Sequence, residues 1–387
     1  PLVKYASSKH LLHKNEIKEL IKNSHESGIL SIGRIPRESL PYIRVLAEEL
    51  AWPVFADITS GLRLGENCPY RITYYDQLLH HNNFKSSKLI PETIWHIGFP
   101  PTSKKWIEFW EKSPPNQMIW ISDNSERLDP THNFCWRIQT DLIDFCNQIL
   151  TEFKKNKIKR SLNKKTLDWF KENEKITHFF EKYFNYNYEK QYIDDFSLSR
   201  KLTEIIPDIH GFFIGNSISV RAVDSFGSGK GADIATALNR GASGIDGLIA
   251  SACGYSLGLN KPVTLLIGDL SALHDLNSFK LAADSKNPII IVIINNKGGG
   301  IFSLLPIAKS NPFFESYFGT PHNLEFRDIA NTFALNYSNP KSIKDFELEY
   351  KKATMVKKST VIEIITKREN ISKKIKNIKE EIIKISK

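Results

Sequence analysis

The segment PVTLLIGDLSALHDLNSFKLAADSKNPIIIVIINN, Pro262 to Asn296, decides how the rest of the chain is read. It opens with the mostly apolar run Val263 to Ile267, which stops at Gly268-Asp269, and closes with Ile289 to Ile294, which stops at Asn295-Asn296. Short runs this rich in β-branched residues predict strands buried on both faces of a parallel sheet. Between them Leu273, Leu276, Phe279 and Ala283 recur at helical spacing, so the segment is strand, helix, strand. A right-handed crossover leaves both polar ends, GDLS and NNKGGG, on the carboxyl edge of the sheet, where open α/β folds bind ligands.

That edge collects hard oxygen donors beside open backbone. Asp269 offers a carboxylate, Asn296 an amide oxygen, and Lys297 to Gly300 carbonyls with few side chains in the way. Such a set suits Mg²⁺, which takes few protein ligands and completes its shell with water and phosphate oxygens. Gly268 permits close backbone approach, and a helix starting after Ser271 aims N–H groups at an anion. The residues read as a Mg²⁺-diphosphate site. A Gly-Asp pair alone is most often a turn; Gly-Asp, a crossover and then Asn-Asn after a second buried strand is far more specific.

Bulk properties bound the alternatives. With 387 residues and 41% hydrophobic content, the chain predicts two globular domains. No apolar run approaches the roughly 18–20 residues that span a bilayer, so no membrane span is expected. Cys68, Cys135, Cys146 and Cys253 lack CxxC spacing and read as structural thiols in a reduced compartment. The net charge of +10 comes from lysines spread among many Ile and Asn residues, which fits A/T-rich coding better than a nucleic-acid surface. The one basic cluster, KKNKIKRSLNKK (154–165), reads as a solvated helix face or linker, and no nucleic acid is expected as a partner.

The first half of the chain alternates helices and strands. EIKELIKNSHESG (16–28) and Glu38 to Leu50 predict helices around a strand in ILSIGRIP (29–36). Further strands are expected at Pro53–Asp57, Ile94–Ile97 and Met118–Ser122, giving a second parallel α/β layer. From Phe145 to about Tyr192 the composition turns helical, charged and aromatic, with Trp169, Phe170, Phe179, Phe180, Tyr183 and Phe184 at the i, i+3 and i+4 spacing of a buried helix face. We take this as the connection, placing one domain at 1–192, with its helical linker from about 145, and another at 193–387. In the second, SLSRKLTEIIPD (197–208) predicts a helix and Gly211–Val220 a strand interrupted by Gly-Asn-Ser. NRGASGIDGLIASACGYSLG (239–258) predicts a helix whose small residues approach the sheet closely. Phe326–Phe333 predicts a helix, Val361–Ile365 the last strand, and Glu369–Lys387 an amphipathic helix docking through Ile371, Ile375, Ile378, Ile382 and Ile385. The fold class is α/β, with two doubly wound parallel-sheet domains.

The motifs GNSISVR (215–221), NRGASGIDG (239–247), LLIGDLSALHDLN (265–277), NNKGGGIFSLLP (295–306) and FGTPH (318–322) carry a resemblance. With IPRE (35–38) and PPTSKK (100–105), they resemble the 2-succinyl-5-enolpyruvyl-6-hydroxy-3-cyclohexene-1-carboxylate (SEPHCHC) synthases over nearly the whole chain. That family comprises the thiamine diphosphate enzymes of menaquinone and phylloquinone biosynthesis. The resemblance implies the middle scaffold domain and the diphosphate-binding domain of the thiamine diphosphate fold. It implies Mg²⁺ (or Mn²⁺) on Asp269, Asn296 and the Gly298 carbonyl, with Gly268 and Ser271 near the phosphates. Asn216, Arg240, Ile245, Ile301 and Phe302 would contact the cofactor, Ile245 as the wedge that bends it and Ile301 with Phe302 as a wall against water.

The implied reaction is decarboxylation of 2-oxoglutarate and addition of the resulting carbanion to isochorismate. Both substrates carry two carboxylates, which calls for guanidinium forks. Arg221 and Arg240 fill that role by resemblance, with Ser217 adding a hydroxyl and Lys104 helping to hold isochorismate. A homodimer or dimer of dimers is implied, in the cytoplasm or, for an organelle-encoded chain, the plastid stroma. The family's amino-terminal pyrimidine domain, with its activating glutamate, has no counterpart segment here, so the chain alone is expected to fold without turning over. Two alternatives stand beside this reading. An acetolactate synthase-like carboligase would share the metal motif but not GNSISVR and NRGASGID. A non-catalytic nucleotide-binding scaffold is weakened because no GxGxxG follows a strand.

Overall fold

Every strand of the molecule is parallel to its neighbours, in two separate sheets. The structure, a computed structural model, describes residues 9–24, 27–80, 89–309, 312–368 and 370–385. Glu369 and Lys387, the expected bounds of the tail helix, lie outside those residues, as does Pro1. Contacts divide the chain into Pro1–Arg63 with Asn67–Lys175, and Leu64–Glu66 with Ile176–Ile385. The division falls inside the helix Lys164–Glu189, earlier than the change of composition near 192.

The first unit holds β1 (Gly28–Ile32), β2 (Val54–Ala56), β3 (Thr93–Ile97), β4 (Gln117–Ser122) and β5 (Trp136–Gln139), ordered β2-β1-β3-β4-β5. β1, β2 and β3 are buried along their whole length, as runs without alternation predict. Helices Leu40–Leu50 and Leu142–Lys155 contribute Ile43, Leu46, Phe145 and Ile149 to the core with Trp52 and Trp95. β5 was not anticipated. It is a half-exposed edge strand in a turn-rich stretch, so it carries no apolar run to mark it.

The second unit holds β6 (Gly211–Ile214), β7 (Ala235–Ala237), β8 (Val263–Gly268), β9 (Ile289–Asn295), β10 (Asn336–Ser338) and β11 (Thr360–Ile365). Their order is β10-β11-β9-β8-β6-β7, with β8 and β9 adjacent at the centre, Val263 beside Ile289 and Gly268 beside Ile294. Ile289 to Ile294 are each 2% exposed or less, and burying one such side chain contributes roughly 1.5–3 kcal/mol. Helices Leu248–Leu259, Ser278–Ala283 and Arg327–Thr332 cover the face of Leu265, Ile267, Ile291 and Ile293. From β6 the chain steps to β7 on one side and to β8 on the other. The strand order therefore reverses between β6 and β8, and ligands of open α/β sheets bind at the carboxyl end of such a reversal.

Four local expectations are corrected. The run after Gly215 is not strand: β6 ends at Ile214 and Ile218–Phe226 is a helix, because Ile218, Val220 and Val223 are buried from it. NRGASGID is not helical; the helix begins at Leu248, after Gly247 at φ +67°. Its glycines do not bring it onto the sheet, since a Cβ at Gly254 or Gly258 would meet nothing within 4 Å. The crossover is two short helices, Asp269–His274 and Ser278–Ala283, and the first starts at Asp269 rather than after Ser271. The break lets Oδ2 of Asp275 accept the Ile249 amide at 2.6 Å, capping a helix whose own N-cap is glycine.

The tail behaves as expected over Asn370–Ile385: Ile371, Ile378 and Ile382 are buried, and Lys374 pairs with Asp194 at 2.6 Å. Among the described residues no helix is long and apolar enough to cross a membrane.

Candidate active site

The carboxyl ends of β6, β8 and β9 enclose a cavity of about 290 Å³. Asn216 and Ser217 enter from the turn after β6, Gly268, Asp269 and Ser271 from the end of β8, and Asn296 and Gly298 from the turn after β9. Ile245, Arg221, Ile301 and Phe302 complete the predicted part of the lining. The volume sits at the low end of small-molecule sites, roughly 300–1,000 Å³.

At one end the polar groups await an electropositive partner. Asp269 is 2% exposed, and its carboxylate accepts the amides of Leu270 at 2.7 Å and Gly298 at 3.0 Å. Burial nonetheless pushes its carboxyl above the usual range, against the pull of those amides and of His322. Nε2 of His322 lies 3.3 Å from Oδ2 of Asp269, within ion-pair distance but without hydrogen-bond geometry. Oδ1 of Asn296 is buried and, among the described residues, has no hydrogen-bond partner. A buried carboxylate beside an orphaned amide oxygen fits a small hard cation. The Gly298 carbonyl accepts the Gly300 amide at 3.0 Å and retains a second lone pair. A Cβ at Gly268 would meet nothing within 4 Å, so the cavity is open to a ligand at that point.

The glycines of NNKGGG serve packing as well. Gly298 sits at φ +146°, and a Cβ there would lie 2.3 Å from the Gly319 carbonyl oxygen. At Gly299 it would lie 2.4 Å from the Phe318 oxygen. The segment after β9 is thus pressed against the FGTPH backbone.

Across the cavity the charge is positive. Arg221 donates to the Ser217 carbonyl at 2.7 Å, and burial, then the neighbouring Arg240, lowers its pKa. Among the described residues neither arginine pairs with a carboxylate, so neither is spent on a surface salt bridge. Arg240 does not itself line the cavity; its Nη1 reaches Oδ1 of Asn216 at 3.4 Å. Asn216 is a clamp as well as a wall, since its Nδ2 donates to the carbonyls of Asn239 and Gly244. Ser217 holds the sparsely populated backbone conformation φ +66°, ψ −128° at the start of helix Ile218–Phe226. Lys104 lies in the first unit at the start of helix Lys104–Lys112, with its side chain 87% exposed and 3.8 Å from Glu108.

Among the lining residues that were not anticipated is a carboxylate, Asp195. Asp195 opens helix Asp195–Ile205 and is 3% exposed; among the described residues its Oδ1 meets no donor in good hydrogen-bond geometry, although the Thr366 hydroxyl lies near enough to favour its charged form. Burial, with Asp194 beside it, pushes its carboxyl up to about 6. In YIDDFSL nothing distinguishes it from Asp194, which caps the same helix.

Residues 1–214 match the family model for the middle domain of thiamine pyrophosphate enzymes, and residues 234–364 that for their C-terminal TPP binding domain. The chain belongs to the thiamine pyrophosphate enzyme family. Asn216, Ser217 and Arg221 fall between the two matched segments. Among curated relatives, a protein of Rubrobacter xylanophilus is 33% identical over 377 residues, covering 96% of this chain and 64% of the relative. One of Chlorobium phaeobacteroides is 34% identical over 392 residues, covering 98% and 65%. One of Lysinibacillus sphaericus is 31% identical over 361 residues, covering 91% and 60%. Each of the three is named SEPHCHC synthase. The chain therefore spans less than two thirds of their length, and within the family it is to these synthases that it is similar.

Proposed function

We propose that this chain is the middle and diphosphate-binding part of a SEPHCHC synthase, a transferase that uses thiamine diphosphate with Mg²⁺ or Mn²⁺, 2-oxoglutarate as donor and isochorismate as acceptor. The observation that carries the reading is one cavity with a cation-seeking end, at Asp269 and the orphaned Asn296 oxygen, and unpaired guanidinium charge at Arg221. Asp269, Asn296 and the Gly298 carbonyl would hold the cation, with the diphosphate over Gly268 and Ser271. What the bound cofactor supplies is an electron sink for decarboxylation and a nucleophilic carbon for the next bond. Arg221, supported by Arg240 and Ser217, anchors substrate carboxylates, and Lys104 is assigned to isochorismate. Asn216 holds the 239–245 segment so that Ile245 faces the cofactor, while Ile301 and Phe302 exclude water. A homodimer is part of the proposal, and menaquinone or phylloquinone biosynthesis is its setting.

Titration of thiamine diphosphate in the presence and absence of Mg²⁺, with wild type and Asp269→Ala, tests the cofactor end. Binding should require Mg²⁺ and be lost in the variant while the circular dichroism spectrum is retained. Equal affinity in the two proteins would overturn the assignment. The substrate end is tested by CO₂ release from 2-oxoglutarate with and without isochorismate, assayed with a separately supplied pyrimidine domain because the chain alone is expected not to turn over. Release that pyruvate supports equally well would favour an acetolactate synthase-like carboligase instead.

A further inference from the structure

Glu363 sits in the middle of β11, 0% exposed, opposite Ile293 of β9. Among the described residues it forms no ion pair with Lys, Arg or His. Its charge is met by neutral donors only. Oε1 accepts from Nδ2 of Asn295 at 2.6 Å, and Oε2 accepts from the Tyr337 hydroxyl at 2.6 Å and the Phe326 amide at 3.1 Å. Burying a carboxylate without a cation is expensive, and an apolar residue in a central strand position would avoid the penalty. Its retention at a position between Ile362 and Ile364 calls for a task that an acceptor-only group performs.

The contact with Asn295 supplies one. Asn295 ends β9 and is itself 0% exposed. Its Nδ2 donates to Glu363 and to the Leu324 carbonyl at 3.0 Å, which uses both amide hydrogens and fixes which way the amide faces. Oδ1 is thereby turned toward the Lys297 amide, which it accepts at 3.1 Å. This side-chain turn holds Lys297 at φ +62° and Gly298 at φ +146°, and the Gly298 amide then reaches Asp269 at 3.0 Å. The residue inside the turn is Asn296, whose Oδ1 is left free in the cavity. Hydrogen bonds and the Lys297–Gly298 backbone thus link Glu363 on β11 through the end of β9 to Asp269 just after β8.

We propose that Glu363 is a positioning residue for the cation end of the site, acting through Asn295 to set the turn that presents Asn296 and Gly298. It rests on the reading of Asp269, Asn296 and Gly298 as cation ligands. Groups that orient metal ligands from behind typically change metal affinity by roughly 10–100-fold when altered.

Glu363→Gln separates this role from bulk stability. The backbone N–H of Phe326 cannot rotate away, so the glutamine oxygen faces Phe326 and Tyr337 and its NH₂ abuts Nδ2 of Asn295. The two donors conflict, and Asn295 releases the Lys297 amide. Tyr337→Phe is the control, because it removes a different donor to the same carboxylate and leaves Asn295 in place. Two readouts apply: hydrogen exchange at the Lys297 and Gly298 amides without ligand, and Mg²⁺-dependent affinity for thiamine diphosphate. Glu363→Gln should speed that exchange about tenfold or more and weaken Mg²⁺-dependent binding roughly 10–100-fold. Tyr337→Phe should lower the melting temperature while moving neither. Exchange unchanged within about twofold in Glu363→Gln, or raised equally in Tyr337→Phe, would overturn the proposal. Were wild type to bind no cofactor in Mg²⁺, the cation-site reading would fail, and with it the part of the proposal that concerns ligand presentation; the exchange result would still decide whether Glu363 sets the turn.

Discussion

The side-chain amide of Asn216 donates to the Gly244 carbonyl at 2.7 Å, tying the turn after β6 to a segment that has no regular structure of its own. A second bond from the same nitrogen reaches the Asn239 carbonyl at 2.8 Å. One side chain therefore anchors the wall of the cavity that contains Ser243 and Ile245 at two points, beside the bond from Asn239 to the Ser251 hydroxyl. Asn216→Ala should cost about 1–3 kcal/mol, the usual effect of removing a buried donor. Urea unfolding gives the stability change, and limited proteolysis should show earlier cleavage within 239–245. Wild-type stability and cleavage would mean that the segment holds its shape without the clamp.

Two glycines of the site should respond in opposite ways. Gly298→Ala places a Cβ 2.3 Å from the Gly319 oxygen at φ +146°, so the turn must move and stability should fall by about 1–3 kcal/mol or more. Gly268 has φ −82° and open space at its Cβ position. Gly268→Ala should leave the melting temperature unchanged or slightly raised, yet weaken thiamine diphosphate binding by filling the cavity. Parallel loss of stability in both variants would contradict the difference in packing.

Asp195 makes a pH prediction. Its folded pKa of about 6 lies above the ordinary 3.8, so between those values the folded chain holds a proton that the unfolded chain releases. Stability is then lost as pH rises through that window, by on the order of 3 kcal/mol for a shift of this size. His96 acts the other way: buried and lowered to about 4, it withdraws stability as pH falls from 6.5 toward 4. Comparing Asp195→Asn with wild type cancels the His96 contribution. The variant should be the more stable protein at pH 8 and lose that advantage at pH 4.5, measured by urea unfolding. A constant difference across pH would show that Asp195 does not titrate in this window.

Arg221 and Arg240 repel one another, and among the described residues neither pairs with a carboxylate. Arg221→Ala should therefore leave the unliganded chain as stable as wild type. In contrast, affinity for 2-oxoglutarate should fall by about 1.5–3 kcal/mol, the usual worth of a hydrogen bond to a charged group. Arg221→Lys should recover only part of it, since an ammonium cannot offer a two-pronged fork. Competition between 2-oxoglutarate and its monoacid analogue 2-oxobutyrate measures the effect. Equal losses for both acids would point to a general packing role.

Local sequence decided the centre of the fold. Ile289–Ile294 is apolar on every residue and Val263–Ile267 on all but Thr264, and runs this short and β-branched suit strands covered on both faces; the polar residues that follow fall on one edge because the two strands are parallel. Asp269, Asn296 and Gly298 were legible for that reason, and Asn216, Ser217, Arg221 and Ile245 came within reach through motifs that resemble a family. Tertiary packing decided the rest. Ile218–Val220 has a strand-like composition but winds into a helix, since that conformation buries it beneath a second helix. Asp275 looks like any loop carboxylate until it caps a helix that begins some 26 positions away in the chain. Asp195 and Glu363 carry no signature at all, because what distinguishes a buried carboxylate from a surface one is the set of groups around it. Those groups come from strands and helices far apart in sequence, and no local pattern records their meeting.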